Sequence, residues 1–207
     1  GLDPAFTRLY QATTWLFHPL MQTFLWLWIV LGFGLYARLF TQETPTYALT
    51  GGAGLGLGVL SLFIANLIVI FIHELAHGLM TKQLRRECDR GGFLFYWGLP
   101  AFFVDTRDTW LSSARGRIAV SWAGPHSGLI IGATMGIGLT VVEQLLPTLT
   151  ASIVANFFYQ IGFLAFFSVF MNLNPLLELD GYFILMDWLD MPGLRPRAFQ
   201  FIRHELW

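Results

Sequence analysis

The sequence predicts an all-α protein that crosses a membrane with four helices. Of its 207 residues, 55% are hydrophobic and only 12% are charged, whereas a soluble domain has about 25% charged residues. Separate apolar segments recur along the chain, and the polar residues between them are too few to cover that many apolar helices. A multi-pass membrane protein is the fold class that this pattern favours.

The predicted spans are runs with few or no charged side chains. They cover residues 20–39, 55–80, 118–146 and 151–172. Each run contains roughly the 20 mostly apolar residues that an α-helix needs to cross the hydrocarbon core of a bilayer. We therefore expect residues 1–207 to form a single membrane-embedded domain, and we expect the chain to be a piece of a longer protein.

A short aromatic and β-branched segment lies between the second and third spans. It covers residues 92–104, and Gly98 and Pro100 interrupt it. The segment is too short to cross a bilayer, and its composition favours a membrane-associated β-hairpin or edge strand. A strand edge near a catalytic site could hold an extended substrate by strand addition.

The distribution of Lys and Arg favours one orientation in the membrane. If the N-terminus is cytoplasmic, every Lys and Arg except Arg38 lies on the cytoplasmic side. That is the side on which positively charged loops accumulate. The end of the second span then lies near the cytoplasmic face of the membrane.

The second span ends with the sequence His73-Glu74-Leu75-Ala76-His77. Residues four apart lie on the same face of a helix, so the imidazoles of His73 and His77 can bind one metal ion. Glu74 lies beside them, where a carboxylate can take a proton from the attacking water. Ionisable groups at membrane depth are costly and rare, so this cluster predicts a functional site.

A third metal ligand is available beyond the fourth span. Catalytic zinc uses three protein ligands and keeps one position open, and Asp180 lies on the same side of the membrane as the histidine pair. Pro175 ends the helix, and Gly181 permits a turn that would direct Asp180 inward. Asp180 could instead cap a following helix, and Glu178 fits an interfacial carboxylate better than a ligand.

Two asparagines precede this proline and offer hydrogen-bond donors. Asn172 or Asn174 could stabilise the oxyanion that develops when a peptide bond is attacked, a contribution of about 3 kcal/mol for one preorganised donor. Alternatively, both amides only satisfy backbone groups that the helix break leaves free.

Other residues are expected to have structural roles. Cys88 is the only cysteine, which excludes an internal disulfide and a cysteine-based zinc site, and its charged neighbours predict a solvated thiol. We expect His126 to be a hydrogen-bonded helix residue.

Glycines at every fourth position of the third span predict close helix packing; they are Gly124, Gly128, Gly132 and Gly136. No basic patch large enough to bind nucleic acid is present.

The motifs together resemble the site-2 protease family of intramembrane zinc metalloproteases. His73-Glu74-x-x-His77 is similar to the first motif of that family, and Asn172-x-x-Pro175-x-x-x-Leu179-Asp180-Gly181 is similar to the second. Ala123-Gly124-Pro125 resembles the family's A-G-P turn at the start of the intervening span. Residues 98–105 resemble the bacterial branch of peptide zinc metalloproteases.

This resemblance implies a role for each matching residue. His73, His77 and Asp180 would bind Zn²⁺, Glu74 would act as general base and acid, and Asn172 would stabilise the oxyanion. The chain would then be a zinc metalloendopeptidase of the bacterial inner membrane, with its site near the cytoplasmic face. Its substrates would be membrane-anchored proteins or peptides, and its partners could include a peptide export system.

The chain departs from the family at one position, and two other functions remain open. Many relatives have Asn where this chain has Gly128, which leaves no polar role there. A non-proteolytic, metal-binding membrane component of a peptide export or maturation system is the main alternative. A metal-ion transporter is less consistent, because polar residues would line its whole pathway, whereas here they cluster at one membrane face.

Overall fold

The structure is a computed structural model that describes residues 1–42, 55–96, 99–145 and 149–205. Its α-helices are α1 (Asp3–Thr13), α2 (Pro19–Gln42), α3 (Leu55–Gln83), α4 (Ala114–Leu145), α5 (Leu149–Asn172), α6 (Asp180–Trp188) and α7 (Leu194–Glu205). Its strands are β1 (Gly91–Tyr96) and β2 (Leu99–Val104), and short 3-10 helices cover Thr14–Phe17 and Arg107–Leu111.

The predicted fold class is confirmed. Four described helices, α2 to α5, contain stretches long and apolar enough to cross a membrane. Between the second and third of them, β1 and β2 pair as an antiparallel hairpin in which Gly91 is opposite Val104. Residues 97, 98 and 146, which the predictions included, lie outside the described residues. Helix α4 begins four residues before the predicted start and includes charged residues that extend beyond its apolar stretch.

Helix α4 lies at the centre of the bundle and contacts α2, α3, α5 and α6. The predicted close packing of its glycines is confirmed. A Cβ atom added to Gly128 or Gly132 would collide with side chains of α5, namely Val169 and Phe166. A Cβ atom added to Gly136 would collide with the backbone of α2 at Gly32. Small residues therefore let the backbones approach closely, as is typical of helices packed in membranes.

The predicted turn at Ala123-Gly124-Pro125 is wrong. Pro125 lies inside α4 and is buried, because the helix already begins at Ala114 and continues through the proline. A proline within a membrane helix removes one backbone hydrogen bond, which neighbouring helices and local adjustments can compensate. Pro175 acts as predicted, since α5 ends at Asn172 and irregular backbone follows before α6.

The prediction of a solvated Cys88 thiol is also wrong. Cys88 is 0% exposed, because the segment that follows α3 is tied to the start of α1. The backbone N–H of Cys88 donates to Oδ1 of Asp3 at 2.8 Å, and Nζ of Lys82 donates to the same oxygen at 2.7 Å. Burial raises the pKa of the Cys88 thiol to about 11, so the thiol is neutral and poorly reactive at physiological pH.

The crossing of α2 and α4 can be tested with two neighbouring glycines. A Cβ atom on Gly32 would collide with the backbone of Ala133, whereas one on Gly34 would meet nothing within 4 Å. Both Gly→Ala changes gain up to about 1 kcal/mol in helix propensity. We expect Gly34→Ala to keep or slightly raise thermal stability in detergent, and Gly32→Ala to lower the free energy of unfolding by about 1–3 kcal/mol. Equal stabilities would contradict this crossing.

Candidate metal centre

Helix α3 brings the two predicted histidines onto one buried face. His73 and His77 are each 8% exposed, and their Nε2 atoms lie 3.1 Å apart. The donor atoms of His73, Glu74 and His77 all lie within 4.8 Å of one another, so this group could hold a metal ion.

Asp180 is the first residue of α6 and faces the same two imidazoles. Its Oδ2 atom lies 3.1 Å from Nε2 of His73, and its Oδ1 atom lies 3.4 Å from Nε2 of His77. Leu179 is the N-cap residue of α6, so the alternative in which Asp180 caps this helix does not describe the structure. The irregular segment after α5 therefore brings a carboxylate from a second helix to the histidine pair.

Gly181 is required for a reason other than the predicted turn. It belongs to α6, and a Cβ atom at this position would collide with the backbone of Leu173. The absence of a side chain lets the start of α6 lie directly against the end of the preceding membrane helix. This close approach, rather than a special backbone conformation, positions Asp180 at the imidazoles.

The three groups fit a single tetrahedral zinc ion. Zinc forms bonds of about 2.0–2.2 Å, which places neighbouring ligand atoms roughly 3.3–3.6 Å apart. The two imidazole nitrogens lie 3.1 Å apart, and each has a different carboxylate oxygen of Asp180 at 3.1 or 3.4 Å. Moreover, Oδ2 of Asp180 is buried and has no hydrogen-bond partner among the described residues. A buried carboxylate oxygen without a donor is costly, and a cation between these atoms would satisfy it.

The ionisation state of Asp180 suits a metal ligand. Burial acts to raise the pKa of this carboxyl group, but the hydrogen bonds and positive charge of protonated imidazoles outweigh burial and lower the pKa to about 2. A metal cation between the same atoms would lower the pKa for the same electrostatic reason. Asp180 is therefore a carboxylate at neutral pH, and carboxylates bind metals in the deprotonated form.

Helix α4 orients His77 through a backbone carbonyl. Nδ1 of His77 lies 2.7 Å from the carbonyl oxygen of Val120. A carbonyl oxygen can only accept, so Nδ1 donates its proton and the lone pair of Nε2 points toward Asp180 and His73. A hydrogen bond of this kind fixes both the tautomer and the ring plane of a metal-binding histidine. No sequence pattern in α4 had indicated this contact.

Gly124 leaves the space in which the imidazoles meet. A Cβ atom built on Gly124 would lie 2.5 Å from Nε2 of His73 and 2.5 Å from Nε2 of His77. It would thus occupy space directly beside both Nε2 atoms. The sequence had indicated Gly124 as one glycine of a packing stripe, but only the tertiary structure shows that it borders the candidate metal centre.

Glu74 is bonded to the end of the β-hairpin. Its Oε2 atom accepts a hydrogen bond of 3.0 Å from the backbone N–H of Val104, the last residue of β2. The hairpin therefore lies against the proposed catalytic base. The sequence predicted the strand and the glutamate separately, but it contained no signal for the contact between them.

A polar cavity of about 260 Å³ is lined by Glu74, His77 and Asp180. Arg117 and Asp187 also line this cavity. Nε of Arg117 donates to Oδ1 of Asp187 at 2.7 Å, and Nη1 of Arg117 donates to the carbonyl oxygen of Ser112 at 3.0 Å. Asp187 is 7% exposed and lies two helical turns after Asp180, on the same face of α6. This partly buried ion pair therefore attaches α6 to α4.

The asparagines do not reach this cavity with their side chains. Nδ2 of Asn172 donates to the carbonyl oxygen and to Oγ of Ser168, at 2.9 and 3.1 Å. Oδ1 of Asn174 accepts from the backbone N–H of Leu176 at 3.0 Å. Both amides thus have the local bonding that was the alternative interpretation of these residues, and their role toward an oxyanion stays a prediction.

Two further predicted positions lie away from the candidate ligands. Glu178 pairs with Arg195 at 3.1 Å on the surface, as expected of an interfacial carboxylate. His126 lies against the rings of Trp26 and Trp122. Contrary to the expectation of a hydrogen-bonded histidine, its buried Nε2 atom has no partner among the described residues.

Together, the fold and this geometry define a membrane protein with a candidate metal centre between its helices. No protein-family profile and no solved structure matches the chain. Among curated proteins, the chain is 30% identical over 131 residues to the "Putative peptide zinc metalloprotease protein YydH" of Bacillus subtilis, a match that covers 62% of this chain and 46% of that protein. An uncharacterized protein of Methanocaldococcus jannaschii is 39% identical over 87 residues, which cover 41% of this chain and 24% of that protein. The chain thus spans less than half the length of these relatives.

The space at Gly124 gives a test of the metal centre. We expect Gly124→Ala to reduce zinc content at least tenfold, because the added Cβ atom occupies the space between the ligand atoms. Gly138→Ala is the control, since a Cβ atom there meets only a ring of Phe158 at 3.1 Å. Zinc per chain is measured by elemental analysis after dialysis. Full zinc content in a folded Gly124→Ala variant would contradict this position of the metal.

The Arg117–Asp187 pair gives a second test, because it holds the helix that bears Asp180. We expect Arg117→Gln or Asp187→Asn to weaken zinc binding roughly 10–100-fold, as loss of a supporting contact commonly does. The exchanged pair, Arg117→Asp with Asp187→Arg, should recover part of the affinity. Arg107→Gln breaks an ion pair outside the site and should leave zinc affinity unchanged. The zinc affinity of all four variant proteins is measured by titration against a competing zinc chelator.

Proposed function

We propose that the chain is the membrane-embedded core of a zinc metalloendopeptidase similar to site-2 proteases. It would hydrolyse peptide bonds of membrane-anchored proteins or peptides within or near the bilayer. The observation that supports this function most directly is the convergence of His73, His77 and Asp180, whose facing atoms lie 3.1–3.4 Å apart. Glu74 follows His73 directly and lies within reach of the same point.

In this proposal each residue has a distinct task. His73, His77 and Asp180 hold zinc, and the carbonyl oxygen of Val120 keeps His77 in the tautomer that binds. When bound, zinc supplies Lewis-acid chemistry, because it polarises a carbonyl oxygen and acidifies water. Glu74 takes a proton from the attacking water and then gives a proton to the leaving amine.

The substrate must reach the site in an extended form. The peptide bonds of an intact helix are shielded by its own hydrogen bonds and side chains, so a membrane-spanning segment has to unwind locally before cleavage. The hairpin that is bonded to Glu74 offers strand backbone beside the site, which supports binding by strand addition. For Asn172 to stabilise the oxyanion, its amide would have to leave Ser168 and turn toward the cavity.

The similarity to the Bacillus subtilis protein supports the proposal, because that protein is named as a peptide zinc metalloprotease. The cellular setting is likewise proposed: the bacterial inner membrane, with the site near the cytoplasmic face, and an association with a peptide export system. The distribution of Lys and Arg in the sequence supports this orientation.

Replacement of the base tests the function. We expect Glu74→Gln to retain zinc and to lower the rate of cleavage at least 100-fold, because a general base typically contributes about 10²–10⁴-fold. Cleavage of synthetic membrane-spanning peptides by protein in lipid nanodiscs is followed by mass spectrometry. His77→Ala serves as the comparison that should lose zinc as well as activity.

Two outcomes would contradict the proposal in different ways. Cleavage by Glu74→Gln at the wild-type rate would exclude the assigned base. A wild-type protein that binds one zinc ion tightly and cleaves no peptide would favour the non-proteolytic, metal-binding component of an export system.

A further inference from the structure

A second cavity, distinct from the polar cavity, also borders the proposed base. It has a volume of about 440 Å³ and lies between α1, α3 and the hairpin. Its walls are almost entirely apolar, and the aromatic residues among them are Phe6, Phe71, Phe93, Phe102 and Phe103. This cavity is called the aromatic groove below.

The aromatic groove has an ordered wall. The ring of Phe102 lies edge-on to Phe71 of α3, with centroids 5.2 Å apart, and edge-on to Phe93 of β1, with centroids 5.5 Å apart. Such perpendicular contacts are the favoured geometry for aromatic pairs. Phe71 is 46% exposed and Phe93 is 52% exposed, so both rings still have surface available for a ligand.

The aromatic groove and the polar cavity meet at the proposed base. Glu74 and Val104 line both cavities, and the hydrogen bond of 3.0 Å between them forms the boundary. On the polar side, Arg117 has a donor to spare, because its Nη2 atom donates to no described residue. A bond positioned for attack at Glu74 therefore has apolar surface on one side and polar groups on the other.

We infer that these cavities are two substrate subsites of opposite polarity, and that the enzyme selects peptide bonds between a bulky apolar residue and a polar residue. The inference rests on the proposed function. Successive side chains of an extended peptide point in opposite directions, so the residues on either side of the cleaved bond enter different cavities. The aromatic groove takes a Phe or Leu side chain, and the polar cavity takes a hydrogen-bonding side chain.

This arrangement defines a substrate class. Cleavage falls where an apolar segment gives way to a polar one, which in a membrane-anchored substrate is the end of its hydrophobic stretch. An apolar side chain that leaves water or headgroups for the aromatic groove favours binding by roughly 10–100-fold over a small polar one. A bond between two polar residues leaves the groove unfilled, and one between two bulky apolar residues buries the donors of the polar cavity without partners.

The experiment uses a set of membrane-anchored peptides that differ at a single position next to the cleaved bond. Phe, Leu, Ser or Asp occupies that position, and the residues on the other side stay polar. Cleavage by the wild-type zinc protein is mapped by mass spectrometry, and binding to zinc-loaded Glu74→Gln is measured by fluorescence anisotropy. We expect Phe and Leu peptides to exceed Ser and Asp peptides at least tenfold in both measurements.

Two variants on one helix connect the preference to the groove. Phe71→Ala removes part of the groove wall, and Phe63→Ala removes a ring of similar exposure two turns earlier on α3, outside the groove; these rings are 46% and 42% exposed. We expect Phe71→Ala to reduce the preference for Phe over Ser several-fold and Phe63→Ala to leave it unchanged. Zinc content of both variants should equal that of the wild type.

Each outcome decides between the two proposals. If the wild type cleaves peptides without regard to the varied residue, or if Phe71→Ala keeps the full preference, the subsites are refuted while the protease function stands. If no peptide is cleaved but Glu74→Gln still binds Phe peptides preferentially through Phe71, the groove is a binding site and the protease function fails. Absence of both cleavage and selective binding refutes both.

Discussion

A buried carboxylate oxygen of Asp180 that faces two imidazoles is the constraint on which the rest of the structure depends. Charged and polar groups at membrane depth are costly unless each is paired, yet Oδ2 has no hydrogen-bond partner among the described residues. Helix α6 begins at Asp180 after the irregular segment that follows α5, and Gly181 lies directly against the backbone of Leu173. The polar groups of this cluster lack a full set of partners, and a single cation would stabilise them. In an ordinary contact between helices, by comparison, buried polar groups are paired with each other.

Helix α4 supplies most of the support for this cluster while supplying none of the candidate ligands. Along one side, Arg117 holds α6, the carbonyl of Val120 orients His77, and Gly124 leaves room for the imidazoles. Further along, its remaining glycines pack against α5 and α2. A single central helix therefore couples bundle packing to site geometry, so a change in how α4 sits would shift several supports at once. That coupling explains why small residues recur along its whole length.

The hairpin connects the proposed base to the surfaces on which a substrate would bind. Because the N–H of Val104 is bonded to Glu74, the strand, the base and both adjoining cavities form one continuous surface. The polar cavity is bordered by an ion pair and the aromatic groove by a cluster of rings. The proposed base thus lies at a boundary between polar and apolar surroundings, similar to the boundary that a membrane-anchored peptide itself crosses at the end of its hydrophobic stretch.

The sequence by itself determined the spans, the hairpin and the break at Pro175, because apolar run length, strand composition and proline act locally. It also indicated His73 and His77 as a pair, since four-residue spacing on a helix is a local geometric fact. Only the tertiary structure decided that Gly124 borders the imidazoles, that Val120 orients His77 and that the A-G-P sequence is helical. Those features depend on which faces of distant helices meet, and a backbone carbonyl or a missing side chain leaves no pattern in the sequence from which such a contact could be predicted.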